Sequence, residues 1–239
     1  MLQLSLCVNG IKQKELEEFK ANIKNYILRN NGVFSVYEKD DFLYYLIVLN
    51  TNKIEKDEFY IKKQIANCLI NSFKYDLIID MLKYDFRKDL KYYTLIEALL
   101  NFDRACDETY IIDKLDFSSG EVYLQSFYYF CLRILKEKWI QLISITNQNS
   151  KVLNIQENYV EVLRFLLDGI DKNEDINVEE ENNKLKVQKS KEIVVFSSYK
   201  ELISYIIKNN PKAIKLKNVD KDFANFIKQL FLTRVTVCL

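Results

Sequence analysis

The sequence predicts a helix-rich α+β fold: an N-terminal βαββ unit, central long helices and a C-terminal βαβαβ-like segment. Three observations carry this. The first fifty residues combine β-branched and aromatic runs with one amphipathic stretch, the middle of the chain repeats apolar residues at three- and four-residue spacing, and the last fifty alternate short apolar runs with helical stripes.

Leu2 to Val8 reads as a strand, with Asn9-Gly10 as its turn. Leu16, Phe19, Ile23, Tyr26 and Ile27 then form one face of a helix from Lys12 to about Asn30, and Asn31-Gly32 fits a C-terminal stop in the left-handed conformation. Val33 to Glu38 and Phe42 to Leu49 are strand-forming, and Lys39-Asp40-Asp41 between them makes a hairpin.

In the middle, Ile61, Ile65, Cys68, Leu69 and Phe73 form a helical stripe that Leu77, Ile78, Met81 and Leu82 continue after a bend; Leu90, Leu95, Ala98 and Leu99 mark a further helix. Ser118 and Ser119 are predicted to cap a long helix whose stripe runs through Leu124, Phe127, Cys131, Ile134, Leu135, Trp139, Leu142 and Ile143. At 1.5 Å per residue it spans roughly 40 Å. Tyr123, Tyr128, Tyr129 and Phe130 beside the stripe predict a central, buried element.

Val152 to Gln156 is read as a strand. Tyr159 to Leu167 fits a strand or a helix; the following Asp168-Gly169, a hairpin signal, favours the strand. The charged stretch Asp171 to Lys191 is expected to be exposed and mobile. Order returns with a strand at Ile193–Phe196, a Ser-capped helix at Ser198–Asn209, a strand at Ala213–Lys217, a helix at Asp220–Phe231 and a strand at Thr233–Cys238. We expect residues 1–170 to hold the βαββ unit and helical core, 171–191 to be the charged exposed segment, and 192–239 to pack on the same core in one globular unit.

The 239 residues are enough for one large domain or two small ones, and 49% hydrophobic with 13% aromatic residues supply a core. Thirty-five basic residues against thirty-four acidic leave a formal charge of +1, so no global field draws nucleic acid or anionic lipid. The longest apolar run, Phe42 to Leu49, is too short to span a bilayer, which predicts a cytoplasmic protein without membrane insertion. Cys7, Cys68, Cys106, Cys131 and Cys238 lie far apart and suit neither a disulfide framework nor a zinc site. Cys238, near one Arg, reads as a plain strand cysteine.

The sequence contains no histidine. That excludes Ser-His-Asp and Cys-His nucleophile activation, histidine phosphotransfer and histidine metal ligation. Gly10, Gly32, Gly120 and Gly169 are isolated and build no phosphate-cradling loop, so no cofactor is expected. Chemistry run by carboxylates, Lys, Tyr or Cys stays open. Asp76 and Asp80, four apart on a helix with Asp85 beyond, could share a face toward a divalent cation, although such spacing is ordinary on a solvated helix. Lys83, Arg87, Lys88 and Lys91, interleaved with Tyr84, Phe86, Tyr92 and Tyr93, make the most conspicuous basic-aromatic segment, which could serve a nucleic-acid backbone with stacked bases or equally be helix ends whose aromatics face the core under Lys stems. Asp85 and Asp89 dilute its charge.

Two stretches carry a family resemblance. Phe117-Ser118-Ser119-Gly120-Glu121-Val122-Tyr123-Leu124-Gln125-Ser126-Phe127 leads into Glu137-Lys138-Trp139, and Leu202-Ile203-Ser204 leads through Asn210-Pro211-Lys212-Ala213-Ile214 to Phe231-Leu232-Thr233-Arg234-Val235-Thr236-Val237-Cys238. Together they resemble the YtxC-like sporulation proteins of endospore-forming bacteria, over about the last half of the chain. That family has no established activity or catalytic residues, so none is carried over. The resemblance implies a role in endospore formation; with the missing histidine and glycine loops, it predicts a non-catalytic protein acting through a protein partner. A nucleic-acid-associated protein and a carboxylate- or Cys-based enzyme are the alternatives, and the oligomeric state is open.

Overall fold

A computed structural model describes all residues but 10, 12, 41, 51, 83–89, 151–155, 183 and 239. In chain order the elements are β1 (Leu2–Cys7), α1 (Gln13–Arg29), β2 (Val33–Lys39), β3 (Phe42–Leu49), α2 (Ile54–Leu69), α3 (Tyr75–Leu82), α4 (Leu90–Asn101), α5 (Arg104–Lys114), β4 (Glu121–Tyr123), α6 (Leu124–Cys131) and α7 (Arg133–Ser150). They continue with α8 (Gln156–Asp168), β5 (Ile176–Glu181), β6 (Lys184–Lys189), β7 (Glu192–Phe196), α9 (Tyr199–Asn209), β8 (Ile214–Lys217), α10 (Lys221–Phe231) and β9 (Val235–Cys238). The fold is helix-rich α+β with two mixed sheets. Two compact units form, one from Met1–Leu77 with Ala105–Leu142, the other from Ile78–Arg104 with Ile143–Leu239.

In the first unit the expected βαββ pattern closes into a sheet of order β2-β3-β1-β4, antiparallel except for the β1–β4 pair. Leu2, Leu4, Leu6, Tyr45, Ile47 and Leu49 bury one face, on which α1 packs with Phe19, Ile23 and Ile27. The helix stop differs from expectation in which residue bends. Asn31, at φ 56°, takes the left-handed turn, whereas Gly32 is there for close approach: a Cβ would lie 2.6 Å from both Leu49 Cδ2 and the Val48 carbonyl. Where a bend is expected after Phe73, a π-helical turn, Ile70–Lys74, links α2 to α3 and contains Phe73.

The long capped helix is not continuous. Ser118 and Ser119 cap nothing: Ser119 bonds the Glu121 backbone, Gly120 turns the chain at φ 72°, and its carbonyl accepts from Ser5 N at 2.8 Å. Glu121–Tyr123 is thereby drawn into the sheet, and strand pairing with β1 wins over helix initiation. The helix that follows breaks at Leu132 (φ −102°, ψ 19°). Leu124, Phe127, Leu135, Trp139 and Ile143 of the predicted stripe are buried, and Tyr128 and Leu132 join them at the break, whereas the stripe residues Cys131 and Ile134, together with Tyr129 and Phe130, are exposed.

In the second unit, Tyr159–Leu167 is helical, not a strand; Asp168-Gly169 ends α8 instead of turning a hairpin. The helical alternative prevails because Tyr159, Val160, Leu163, Leu166 and Leu167 all bury on one stripe. Most of the strand predicted at Val152–Gln156 lies outside the described residues, and Gln156 opens α8. Residues 171–191, expected to be exposed and mobile, instead contain the β5–β6 hairpin, with Ile176, Val178, Leu185 and Val187 buried. Alternation of apolar with charged residues, not total charge, decides there. The five-stranded sheet has order β7-β6-β5-β8-β9, with β5–β8 and β8–β9 parallel. The C-terminal strands and helices form as predicted, with Ser198 and Asp220 accepting from Glu201 N and Phe223 N as N-caps.

Candidate functional site

The face of the four-stranded sheet opposite α1 carries a row of aromatic side chains. Register places Tyr37 beside Tyr44, Tyr44 beside Cys7, and Cys7 beside Tyr123, so one row crosses all four strands. Tyr37 and Tyr44 stack with ring centroids 5.0 Å apart, and Tyr44 meets Tyr123 edge-on at 6.4 Å. Tyr37 is 43% exposed and Tyr123 41%, while the Cys7 thiol is buried beneath them. The next rows hold Ser35, Leu46, Ser5 and Glu121, then Val33, Val48 and Gln3; Phe42 and Lys39 lie beyond Tyr44 and Tyr37.

Among the described residues the charged ones on this face are Lys39 on one edge strand and Glu121 on the other. Hydrogen bonds with Tyr44 and Glu121 push the Tyr123 hydroxyl up to about 12. Burial raises Cys7 as well and keeps it a thiol. The sequence signal was present: in Phe42–Leu49 both alternating sets are apolar, more than one packed face requires.

The basic-aromatic candidates fare differently. Lys83, Arg87 and Lys88 lie outside the described residues, as do Tyr84, Asp85, Phe86 and Asp89. Lys91 is exposed on the first turn of α4 and lines a cleft of about 340 Å³ with Tyr199, Asp220, Asp222, Phe223 and Phe226. Asp76 is half-buried and Asp80 exposed on α3. Among the described residues no three Cys, Asp or Glu side chains gather as a metal site. Burial pushes the Cys68 thiol up to about 12, far from a reactive thiolate.

One polar cluster is fully internal to the first unit. The π turn directs Lys74 inward, where its ammonium donates to Asp107 Oδ2 at 2.8 Å; Trp139 Nε1 donates to the same oxygen at 2.9 Å. Lys138 approaches Oδ1 at 3.4 Å. Lys74 and Asp107 are each 1% exposed, so no substrate reaches them and the cluster is architectural.

Asn210, Pro211, Phe231 and Arg234 of the tail also converge. Asn210, fully buried at φ 35°, donates to the carbonyls of Leu167 and Ile170 and accepts from Arg234 at 3.0 Å. Arg234 donates to the Pro211 carbonyl too and lies 4.8 Å over Phe231. This clasp joins the ends of α8 and α9 to the start of β9. No protein-family model, curated protein or solved structure matches the chain. Among the described residues no helix is long and apolar enough to cross a membrane.

Proposed function

We propose that the chain is a non-catalytic protein-interaction module that docks a protein partner on the open face of the four-stranded sheet. The row Tyr37–Tyr44–Tyr123 carries this reading: half-exposed aromatic rings on a face whose charges sit only at its rims. Interface cores are enriched in Tyr and depleted of charge, and large exposed apolar patches mark such contacts. A nucleic-acid platform needs cations beside its aromatics, and among the described residues this face offers Lys39 alone. The resemblance to YtxC-like proteins supplies the setting, endospore formation in the cytoplasm.

The test places a photo-cross-linking phenylalanine analogue at Tyr37 or Tyr123 in sporulating cells of an endospore-forming bacterium. A discrete protein adduct at both positions, resistant to nuclease and lost when Tyr44→Asp is added, is the expected result. Adducts that disappear with nuclease would transfer the reading to the segment around Lys91, where binding should also fall steeply with salt. No adduct at either position removes the docking face.

A further inference from the structure

We propose that the outer edge of β2 is the pairing surface of a two-fold symmetric dimer, in which β2 and its copy from a second chain run antiparallel about Val36. Two four-stranded sheets would become one eight-stranded sheet. The inference concerns the edge of the sheet, not its open face, and stands apart from the docking reading.

Among the described residues β2 is an edge strand, paired with β3 alone. An edge presents a row of backbone donors and acceptors to any second strand, and folded proteins blunt such edges with short strands, prolines, bulges or lysines. β2 has none of these defences over most of its length. It runs seven residues, against three for β4, four for β9 and five for β7 at the other sheet edges. Its register with β3 is unbroken from Val33↔Val48 to Lys39↔Phe42, so there is no bulge. Apolar side chains stand exposed on both of its faces, Val33 and Tyr37 on the open one and Val36, at 38%, on the other.

A second copy fits because the strand is self-complementary in one register. Centring the two-fold on Val36 opposes Val36 to itself, Ser35 to Tyr37, Phe34 to Glu38 and Val33 to Lys39, and only this centring pairs all seven residues. No charge meets a like charge. A shift of the pairing by two residues per strand, which opposes Glu38 to Glu38, sets two carboxylates together and loses pairs. The closed two-fold covers the β2 edge of both copies, so this contact recruits no third chain. The tyrosine rows of the two copies lie on the same side of the joined sheet, because residues opposed across an antiparallel pair share a face.

The experiment uses the full chain with Cys106, Cys131 and Cys238 replaced by Ser, and compares Val36→Cys with Val33→Cys under mild oxidation. Across the two-fold, residue 36 meets its counterpart at about 5 Å between Cα atoms, within disulfide reach, while residues 33 are roughly 20 Å apart. Val36→Cys should give a covalent dimer on a non-reducing gel and Val33→Cys should not. Sedimentation of the unmodified chain should show a concentration-dependent dimer that Val36→Lys weakens roughly tenfold or more. A chain that stays monomeric at all concentrations, or that cross-links at 33 as readily as at 36, overturns the dimer. If Val36→Lys does not fold, the cysteine pair still decides. Because partner capture at Tyr123 is read separately, either reading can fail without the other.

Discussion

Lys74 and Asp107 meet at 2.8 Å inside the first unit with 1% of each side chain exposed. A buried ion pair adds little over an apolar pair of the same volume, but removing one partner strands a desolvated charge. Asp107→Ala should therefore cost about 3–5 kcal/mol, measured as the loss of urea-unfolding free energy. Lys74→Met combined with Asp107→Leu should cost clearly less than Asp107→Ala alone. A double variant as unstable as the single would show that the carboxylate matters through Trp139 and Lys138 and not through Lys74.

Trp139 is the only tryptophan, so its environment can be followed directly. Trp139→Phe keeps the ring packing and removes the Nε1–H that donates to Asp107 at 2.9 Å. The expected loss is about 1–3 kcal/mol, the cost of a charged hydrogen bond removed in a buried site. In the parent, fluorescence should be blue-shifted and quencher-resistant, as its 1% exposure requires; easy quenching by iodide would contradict the buried cluster.

How much of this was legible in the sequence depended on whether a signal was local. The βαββ start and the C-terminal strands and helices were readable because period-2 and period-3.6 patterns and Ser198 and Asp220 caps act within a few residues. The strand Glu121–Tyr123 was not, since it exists only because β1 lies beside it. Nor was the β5–β6 hairpin: Glu179, Glu180 and Glu181 dominate its composition, while the buried Ile176 and Val178 that set its register are few. The tyrosine row needed strand order, for Tyr37, Tyr44 and Tyr123 come together only once β2, β3, β1 and β4 are aligned.

Gly32 offers a test of that alignment. Its missing Cβ lets Ile27, Val48 and Leu49 close to within 2.8 Å of where the atom would be, and the Val48 contact is to backbone, which cannot swing away. Gly32→Ala should destabilise by about 1–3 kcal/mol through overpacking. Asn31→Gly, at the left-handed position, should be nearly neutral by comparison. Equal effects of the two would mean that the stop works through backbone conformation alone.

Asn210 should be more sensitive than its surface-like residue type suggests. Asn210→Ala removes two donated bonds and one accepted bond and leaves a side chain with a poorer fit to φ 35°. The Ile170 carbonyl loses the amide donor, while Leu167 keeps only the Ile170 N–H and Arg234 only the Pro211 carbonyl, which predicts a loss of about 2–4 kcal/mol. Hydrogen exchange should then accelerate in α8, α9 and β9 together. Acceleration confined to α9 would reduce Asn210 to an ordinary helix cap.

Glu97 on α4 gives the pH prediction. Ser204 Oγ of α9 donates to its carboxylate at 2.9 Å, yet burial dominates and raises Glu97 above the ordinary 4.5; the bonds from Ser204 and Tyr93 and the charges of Lys208 and Arg104 only partly offset this. A carboxyl whose folded value is raised binds its proton more tightly in the folded state. Stability therefore rises as pH falls through the folded value toward 4.5, and the penalty of the buried charge is fully present above it. Glu97→Gln keeps an acceptor for Ser204 without the charge, so at pH 7 it should be more stable than the parent. The gap should narrow toward pH 4.5, read by chemical denaturation at matched ionic strength. A variant less stable than the parent at pH 7, or a gap independent of pH, would mean that Lys208 and Arg104 compensate the carboxylate fully and that its burial carries no penalty.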